Sequence, residues 1–295
     1  MNIKDVGITK SEIAALLGDA SLSPKRSLGQ NFLIDSSVAT AIARLADPDG
    51  RRIFEIGPGL GSLTVFLATL GQDVVVLEKD EKIAESLQKV LARREISNVE
   101  VINGDALLFD ILGYCDDRQI RTVAGNLPYN ISVPLILSLV ERPSSLESLS
   151  FLVQKEVAHR LCAVPGGKNC SFVSLKLAVY CDSKVELDVS NDAFVPKPNI
   201  TSSVIVLKPT SRNVSCYSSG AIDIAFSIAR IGFSHRRQML RRNLTDPMIR
   251  AGMVALEISQ EKRAEEVTTT QWLDLGDWLA RQGYQGPENG VVDQQ

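Results

Sequence analysis

From residue 52 onward, short runs of β-branched and aliphatic residues alternate with longer stretches whose apolar positions recur at helical spacing. Residues 52–56, 74–78, 99–103 and 122–125 read as strands, and 62–70, 81–94 and 133–141 as helices connecting or following them. This alternation predicts a parallel, doubly wound α/β sheet, to which the later apolar runs 149–153, 175–180 and 203–207 add strands. The strand pattern stops at Lys208-Pro209-Thr210-Ser211. Beyond it, 221–231, 238–243, 248–256, 259–265 and 269–282 predict a small C-terminal all-helical domain. The expected organisation is a first domain over 1–210 with an N-terminal arm of about 1–50, a helical domain over 211–285, and a loose tail over 286–295 that lacks periodicity.

Composition narrows the class. A length of 295 residues suits two domains with a substantial core, and 44% hydrophobic with 23% charged residues excludes a fibrous or disordered chain. No apolar run reaches about 18 residues, and the first ten residues lack the basic-then-apolar plan of a secretion signal, so a soluble cytoplasmic protein is expected. The five cysteines are odd in number and form no C-x-x-C pair, while His159 and His235 have no ligand companions at metal spacing. A metal site, a disulfide framework and a Ser-His-Asp triad are therefore not expected. The net charge of −3 argues against a nucleic-acid partner until its distribution is read. Between Arg230 and Arg250, six arginines face one acid, Asp246, a local charge of about +5.

The candidate chemistry lies at strand ends. The first strand runs into Glu55-Ile56-Gly57-Pro58-Gly59-Leu60-Gly61, a glycine-rich turn that brings bare backbone close to a ligand. Such a loop serves NAD, FAD or S-adenosylmethionine. Glu78 ends the second strand, where a carboxylate accepts from both ribose hydroxyls of an adenosine cofactor without separating NAD from S-adenosylmethionine. Asp105 follows the third strand and can accept from an adenine amine. The fourth strand runs into Asn126-Leu127-Pro128-Tyr129. An amide, a rigid turn and an aromatic ring are what a pocket needs to hold a planar amine.

In this order the features resemble the KsgA-type ribosomal RNA adenine dimethyltransferases. The resemblance spans about residues 24–278 and takes in Lys25-Arg26-Ser27-Leu28-Gly29-Gln30-Asn31-Phe32-Leu33, Gln154-Lys155-Glu156-Val157-Ala158 with Arg160-Leu161, Phe194-Val195-Pro196-Lys197-Pro198, and residues 233–244. It implies a Rossmann-like S-adenosylmethionine-dependent methyltransferase. The implied reaction is dimethylation of two adjacent adenosines in the 3′-terminal hairpin of 16S rRNA during 30S subunit biogenesis. By the same resemblance, Asn31, Leu33, Gly57, Glu78, Asp105 and Asn126 line the cofactor site. The chain departs from the family pattern at Asn169-Cys170-Ser171, where a Tyr-Gly pair is usual, at Lys197, which interrupts a proline run, and at Thr201, which replaces a common Asp.

The lone pair of an adenine 6-amino group is delocalised into the ring, so transfer needs acceptors that favour a pyramidal nitrogen. The Asn126 side-chain carbonyl and a backbone carbonyl at Leu127 or Pro128 are expected to take the two amine hydrogens. Tyr129 is expected to stack on one face of the extruded base and Phe194 on the other. Positioning then carries the rate, with no general base and no metal. Arg236, Arg237, Arg241 and Arg242 are expected to hold the RNA backbone, with Arg237 and Arg241 four apart on one helical face and Lys25 and Arg26 as a second contact. A monomer is expected. Three other readings fit parts of the chain: a methyltransferase of large-subunit RNA, a binding protein that keeps the fold without catalysis, and a nicotinamide-dependent oxidoreductase, which leaves Asn126 and Tyr129 without a use.

Overall fold

The computed structural model describes residues 7–19, 31–46, 52–70, 73–142 and 144–286. Two compact units form, Met1–His159 with Ser183–Pro209, and Arg160–Asp182 with Thr210–Gln295. The sequence reading has the boundary near residue 210 but keeps Arg160–Asp182 in the first domain; in the structure that segment packs with the helical unit.

In chain order the elements are α1 (Lys10–Asp19), β1 (Phe32–Leu33), α2 (Ser36–Ala46), β2 (Ile53–Ile56), α3 (Thr64–Thr69), β3 (Val74–Glu78), α4 (Glu81–Arg93), β4 (Val99–Asn103), α5 (Ile111–Asp117), β5 (Thr122–Asn126), α6 (Ser132–Val140), β6 (Ser148–Gln154) and α7 (Lys155–Leu161). They continue with α8 (Phe172–Tyr180), β7 (Cys181–Val189), β8 (Phe194–Val195), β9 (Ser202–Pro209), α9 (Ser219–Ser234), α10 (Leu240–Asn243), α11 (Pro247–Ala255) and α12 (Thr269–Arg281).

Among the described residues, seven strands form one sheet in the order β4-β3-β2-β5-β6-β9-β7. The five strands from β4 to β6 are parallel, whereas β9 joins β6 antiparallel, with Phe151 opposite Ile205. The sheet is therefore mixed and not parallel throughout. Every residue of β2 and β3 is buried. Central parallel strands covered on both faces are predominantly apolar, and apart from Glu55 and Glu78 these two read as plain apolar runs in the sequence.

One expected strand is a helix. Residues 175–180 lie in α8, which starts at a capping box: Ser171 Oγ accepts from Ser174 N, and Ser174 Oγ accepts from Ser171 N. A short apolar run alone does not separate a buried helix from a buried strand, and here the cap decides. Besides the short β1 and β8, the strand that the sequence hid is β7, at the edge of the sheet, whose charged residues alternate with half-buried ones. Charges on an edge strand discourage pairing with another chain, and they also mask its strand pattern.

In the second unit, Trp272, Met253, Ile249 and Leu275 are among the residues that form the core between α9, α11 and α12. Residues 259–265 do not form the expected helix. Their backbone bonds to α10 instead, with Leu240 N to the Lys262 carbonyl at 2.8 Å and Arg241 N to the Gln260 carbonyl at 3.0 Å. Nor do Arg237 and Arg241 share a helical face, because α9 ends at Ser234 and α10 begins at Leu240. Asn243 Nδ2 donates to the carbonyls of Gly232 at 2.7 Å and His235 at 3.3 Å. Those bonds satisfy the end of α9 and leave Arg237 in the turn that follows.

Candidate cofactor and substrate site

The chain passes from β2 to β3 and β4 on one side, then returns to β5 on the other. The carboxyl ends of β2 and β5 therefore open side by side, the place where ligands gather in sheets of this kind. Two glycines permit the approach. Gly57 has φ +68, a backbone region that side chains disfavour, and a Cβ at Gly125 would collide with the Ile56 carbonyl oxygen.

The loops surround a cavity of about 1070 Å³, solvent-open space included. Asn31, Leu33, Gly57, Glu78, Asp105 and Asn126 all lie on its wall. Glu78 closes β3 and accepts from Gly59 N at 3.1 Å and Asp80 N at 2.9 Å, which locks the glycine turn to the next strand. Burial pushes its carboxyl up, while those amides pull it down. Asp105 accepts from Leu107 N at 3.0 Å and pairs with Lys79 at 2.7 Å. The Lys79 hydrogen bond is the main reason its carboxyl is held below the ordinary range.

Asn126 is the last residue of β5, and its Nδ2 donates to the Asn31 carbonyl at 3.0 Å across 95 residues of chain. One half of the amide is thus committed to protein, and its carbonyl oxygen remains available as an acceptor. Pro128 lies on the cavity wall. Leu127 is buried, its amide bonded to the Leu152 carbonyl at 3.1 Å. Leu127 does not line the cavity, and with its side chain buried and its amide bonded only its backbone carbonyl is left to offer a ligand. The Pro128 carbonyl accepts from Ile131 N at 3.2 Å.

The two expected stacking rings are not on that wall. Tyr129 is half-buried, with its hydroxyl 3.0 Å from Ser202 Oγ. Burial raises its phenol, so it stays neutral at physiological pH. Phe194 is only 2% exposed and packs in the core of the first unit. Its strand pairs with β1, placing Leu33 opposite Phe194, so the segment that carries Asn31 and Leu33 is held by the segment that carries Phe194.

Sequence reasoning missed two charged residues on the cavity wall, Glu55 and Lys79. Glu55 is 1% exposed and its Oε2 has no hydrogen-bond partner. Burial pushes its carboxyl up to about 8, the charge of Glu78 adding to the rise and the Thr64 hydroxyl opposing it. The signal was a single charge inside the apolar strand Ile53-Phe54-Glu55-Ile56. Lys79 stands next to Glu78 and earned no notice because surface lysines are common.

Of the candidate RNA contacts, Arg236, Arg237, Arg241 and Arg242 are exposed in the second unit. Lys25, Arg26 and the tail from 287 lie outside the described residues.

The donor set fits S-adenosylmethionine. Glu78 and Asp105 suit the hydroxyls and amine of an adenosine, and the unpartnered oxygen of Glu55 suits a cation. A sheet switch point built around an adenosine with a cationic tail makes this an S-adenosylmethionine-dependent methyltransferase of the α/β class. The family model for ribosomal RNA adenine dimethylase matches residues 22–281, and the chain belongs to that family.

The ribosomal RNA small subunit methyltransferase A of Xanthobacter autotrophicus is 35% identical, over 88% of this chain and 91% of its own length. The protein of the same name from Buchnera aphidicola is 34% identical over 87% of this chain and 93% of its own. Among solved structures, a dimethyladenosine transferase from Plasmodium falciparum superposes with TM-score 0.74 at 22% identity, covering 85% of this chain and 98% of that one. The 23S rRNA methyltransferase ErmE gives 0.64 at 22% identity, covering 85% and 100%. These two structures show the fold.

Proposed function

We propose that the protein dimethylates two adjacent adenosines in the 3′-terminal hairpin of 16S rRNA during 30S subunit biogenesis, acting as a monomer in the cytoplasm, without a metal. Membership of the family supplies ribosomal RNA and adenine. The name shared by relatives at about a third identity over most of the chain favours the small subunit. The observation that carries the chemistry is the bond from Asn126 Nδ2 to the Asn31 carbonyl, because it leaves the amide oxygen free at the cavity.

Bound S-adenosylmethionine would supply a methyl group on a sulfonium, leaving as the neutral thioether when the amine nitrogen takes the methyl, and the proton lost from that nitrogen would pass to solvent. Glu78 would hold the ribose hydroxyls, Asp105 the adenine amine and Glu55 the ammonium, while Asn31, Leu33 and Gly57 would shape the pocket. On the substrate side, Asn126 Oδ1 accepts one hydrogen of the target amine. The Leu127 carbonyl accepts the other, in preference to that of Pro128, which already serves Ile131. Two acceptors aimed at the amine raise electron density on its nitrogen and fix its direction, so orientation carries the rate. Tyr129 stacks on the extruded base. Phe194 braces the Asn31 segment through the β1–β8 pair and reaches the base only if its ring is uncovered on RNA binding. Arg236, Arg237, Arg241 and Arg242 make up the basic face of the helical unit, and Lys25 and Arg26 add a second RNA contact.

The test is transfer of labelled methyl to unmethylated 30S subunits, with 50S subunits as control and nucleoside analysis of the product. Dimethyladenosine confined to 30S RNA is the expected result. Transfer to 50S RNA alone would make this a large-subunit enzyme, and cofactor binding with no transfer to either particle would favour a binding role.

A further inference from the structure

The arginines of the second unit are not equivalent. Arg236 donates from Nε to Glu265 at 3.0 Å and from Nη2 to the carbonyls of Lys168 at 3.1 Å and Cys170 at 2.9 Å. Gly166 N donates to the Glu265 carbonyl at 3.0 Å, so three segments distant in sequence meet around one guanidinium. Arg241 pairs with Glu261 at 3.3 Å. Arg250 donates to the carbonyls of Leu244 at 3.1 Å and Arg241 at 2.7 Å, closing the end of α10. A guanidinium whose donors are taken by carbonyls and a carboxylate has few left for phosphate, and its charge is already answered.

Three exposed cations on the same segments differ. Lys168, Arg237 and Arg242 have no carboxylate partner among the described residues. Arg237 is the neighbour of Arg236, and Lys168 is held to Arg236 through its own carbonyl, 68 residues away in sequence. Arg242 follows on α10, which Asn243 ties back to the end of α9. An unanswered cluster of this kind on a clamped backbone suits a polyanion: the charge is available and little ordering remains to be done on binding.

We infer that Lys168, Arg237 and Arg242 form the phosphate-contacting surface of the second unit, and that Arg236 is a positioning residue that brings Lys168 to the arginine turn. The inference rests on the RNA substrate proposed above and divides an arginine cluster that sequence treats as uniform. It also adds Lys168, which carries no sequence signal of its own.

The experiment measures binding of the full-length protein to the unmethylated 3′-terminal hairpin of small-subunit rRNA as a function of salt. Each phosphate contact contributes about 0.7 to 0.9 to the slope of log affinity against log salt, so Lys168→Gln with Arg237→Gln and Arg242→Gln should flatten it by about 2 or more. The melting temperature should stay unchanged, because none of the three side chains has a partner among the described residues; the triple Glu variant repeats the test with a larger effect. Arg236→Gln should flatten the slope by no more than the single contact of Lys168, about 0.7 to 0.9, while raising KM for RNA and speeding hydrogen exchange at the amides of Gly166 and Cys170, which are bonded within the clamped segment. A full slope in the triple variant overturns the assignment, as does a flattened slope in Arg236→Gln with exchange unchanged. Methyl transfer to 30S subunits is run alongside. Transfer without salt-dependent hairpin binding overturns this surface alone, whereas loss of both in the wild type overturns the RNA reading as well.

Discussion

Replacing Glu55 with Gln isolates the cost of placing a carboxylate beneath the glycine turn. Burial is the main reason the group titrates near 8 in the folded protein, against an ordinary value of 4.5. Between those values the unfolded chain has lost a proton that the native state keeps. Stability therefore falls as pH rises, by about 1.4 kcal/mol per unit. The effect is absent below the unfolded value and complete above the folded one. From pH 5 to pH 7 the wild type should lose about 3 kcal/mol relative to Glu55→Gln, which carries no titrating group there. Urea unfolding of both proteins at pH 5, 6, 7 and 8 measures that difference, and the constant cost of burying an amide cancels from its slope. Parallel pH profiles would refute a carboxyl raised by burial. The same group makes cofactor binding proton-linked, since a cation opposite Glu55 favours the ionised form. Near pH 7, titration calorimetry in buffers of different ionisation enthalpy should detect proton release on binding to the wild type and none in Glu55→Gln.

Three further outcomes follow from the cavity. Asn126→Ala should lower kcat by about 10²- to 10³-fold through loss of one aimed acceptor, with the melting temperature close to wild type; a kcat within a factor of three would remove Asn126 from the chemistry. Gly125→Ala forces a Cβ against the Ile56 carbonyl, so β5 must move away from β2. It should cost about 2 kcal/mol in denaturant unfolding and weaken cofactor binding as well, and wild-type cofactor affinity would show that the strand ends need not approach so closely. Tyr129→Phe removes the bond to Ser202, worth about 1 kcal/mol of stability, yet keeps the ring and most of the transfer rate. Tyr129→Ala should raise KM and lower kcat together; equal activity in the Phe and Ala variants would argue against stacking.

Much of the site was legible because its residues sit where strands end. Glu78, Asn126 and the turn at Gly57 are marked by apolar runs that stop, and the parallel sheet delivers such stops to one edge. Glu55 was hidden for the opposite reason: it lies within a strand, and only burial turns a charge there into a feature. The apolar run 175–180 and the polar alternation of β7 were misread because period and propensity are local, whereas a cap or an edge position overrides them. Phe194 was read as an exposed partner for a base, but pairing with β1 buries its ring.

The sequence by itself determined the alternation of strands and helices over 52–141, the glycine turn and strand-end acids that line the cavity, the Asn-Leu-Pro-Tyr element and the family. These are written in short, contiguous segments whose chemistry follows from neighbours in the chain. Tertiary structure alone decided that Asn126 is held by Asn31, that Glu55 is buried with one oxygen unbonded, that Arg160–Asp182 packs with the helices, and which cations of the arginine segment are already paired. Each depends on groups far apart in sequence being brought within hydrogen-bonding distance or cut off from water, and neither condition exists until the chain has folded.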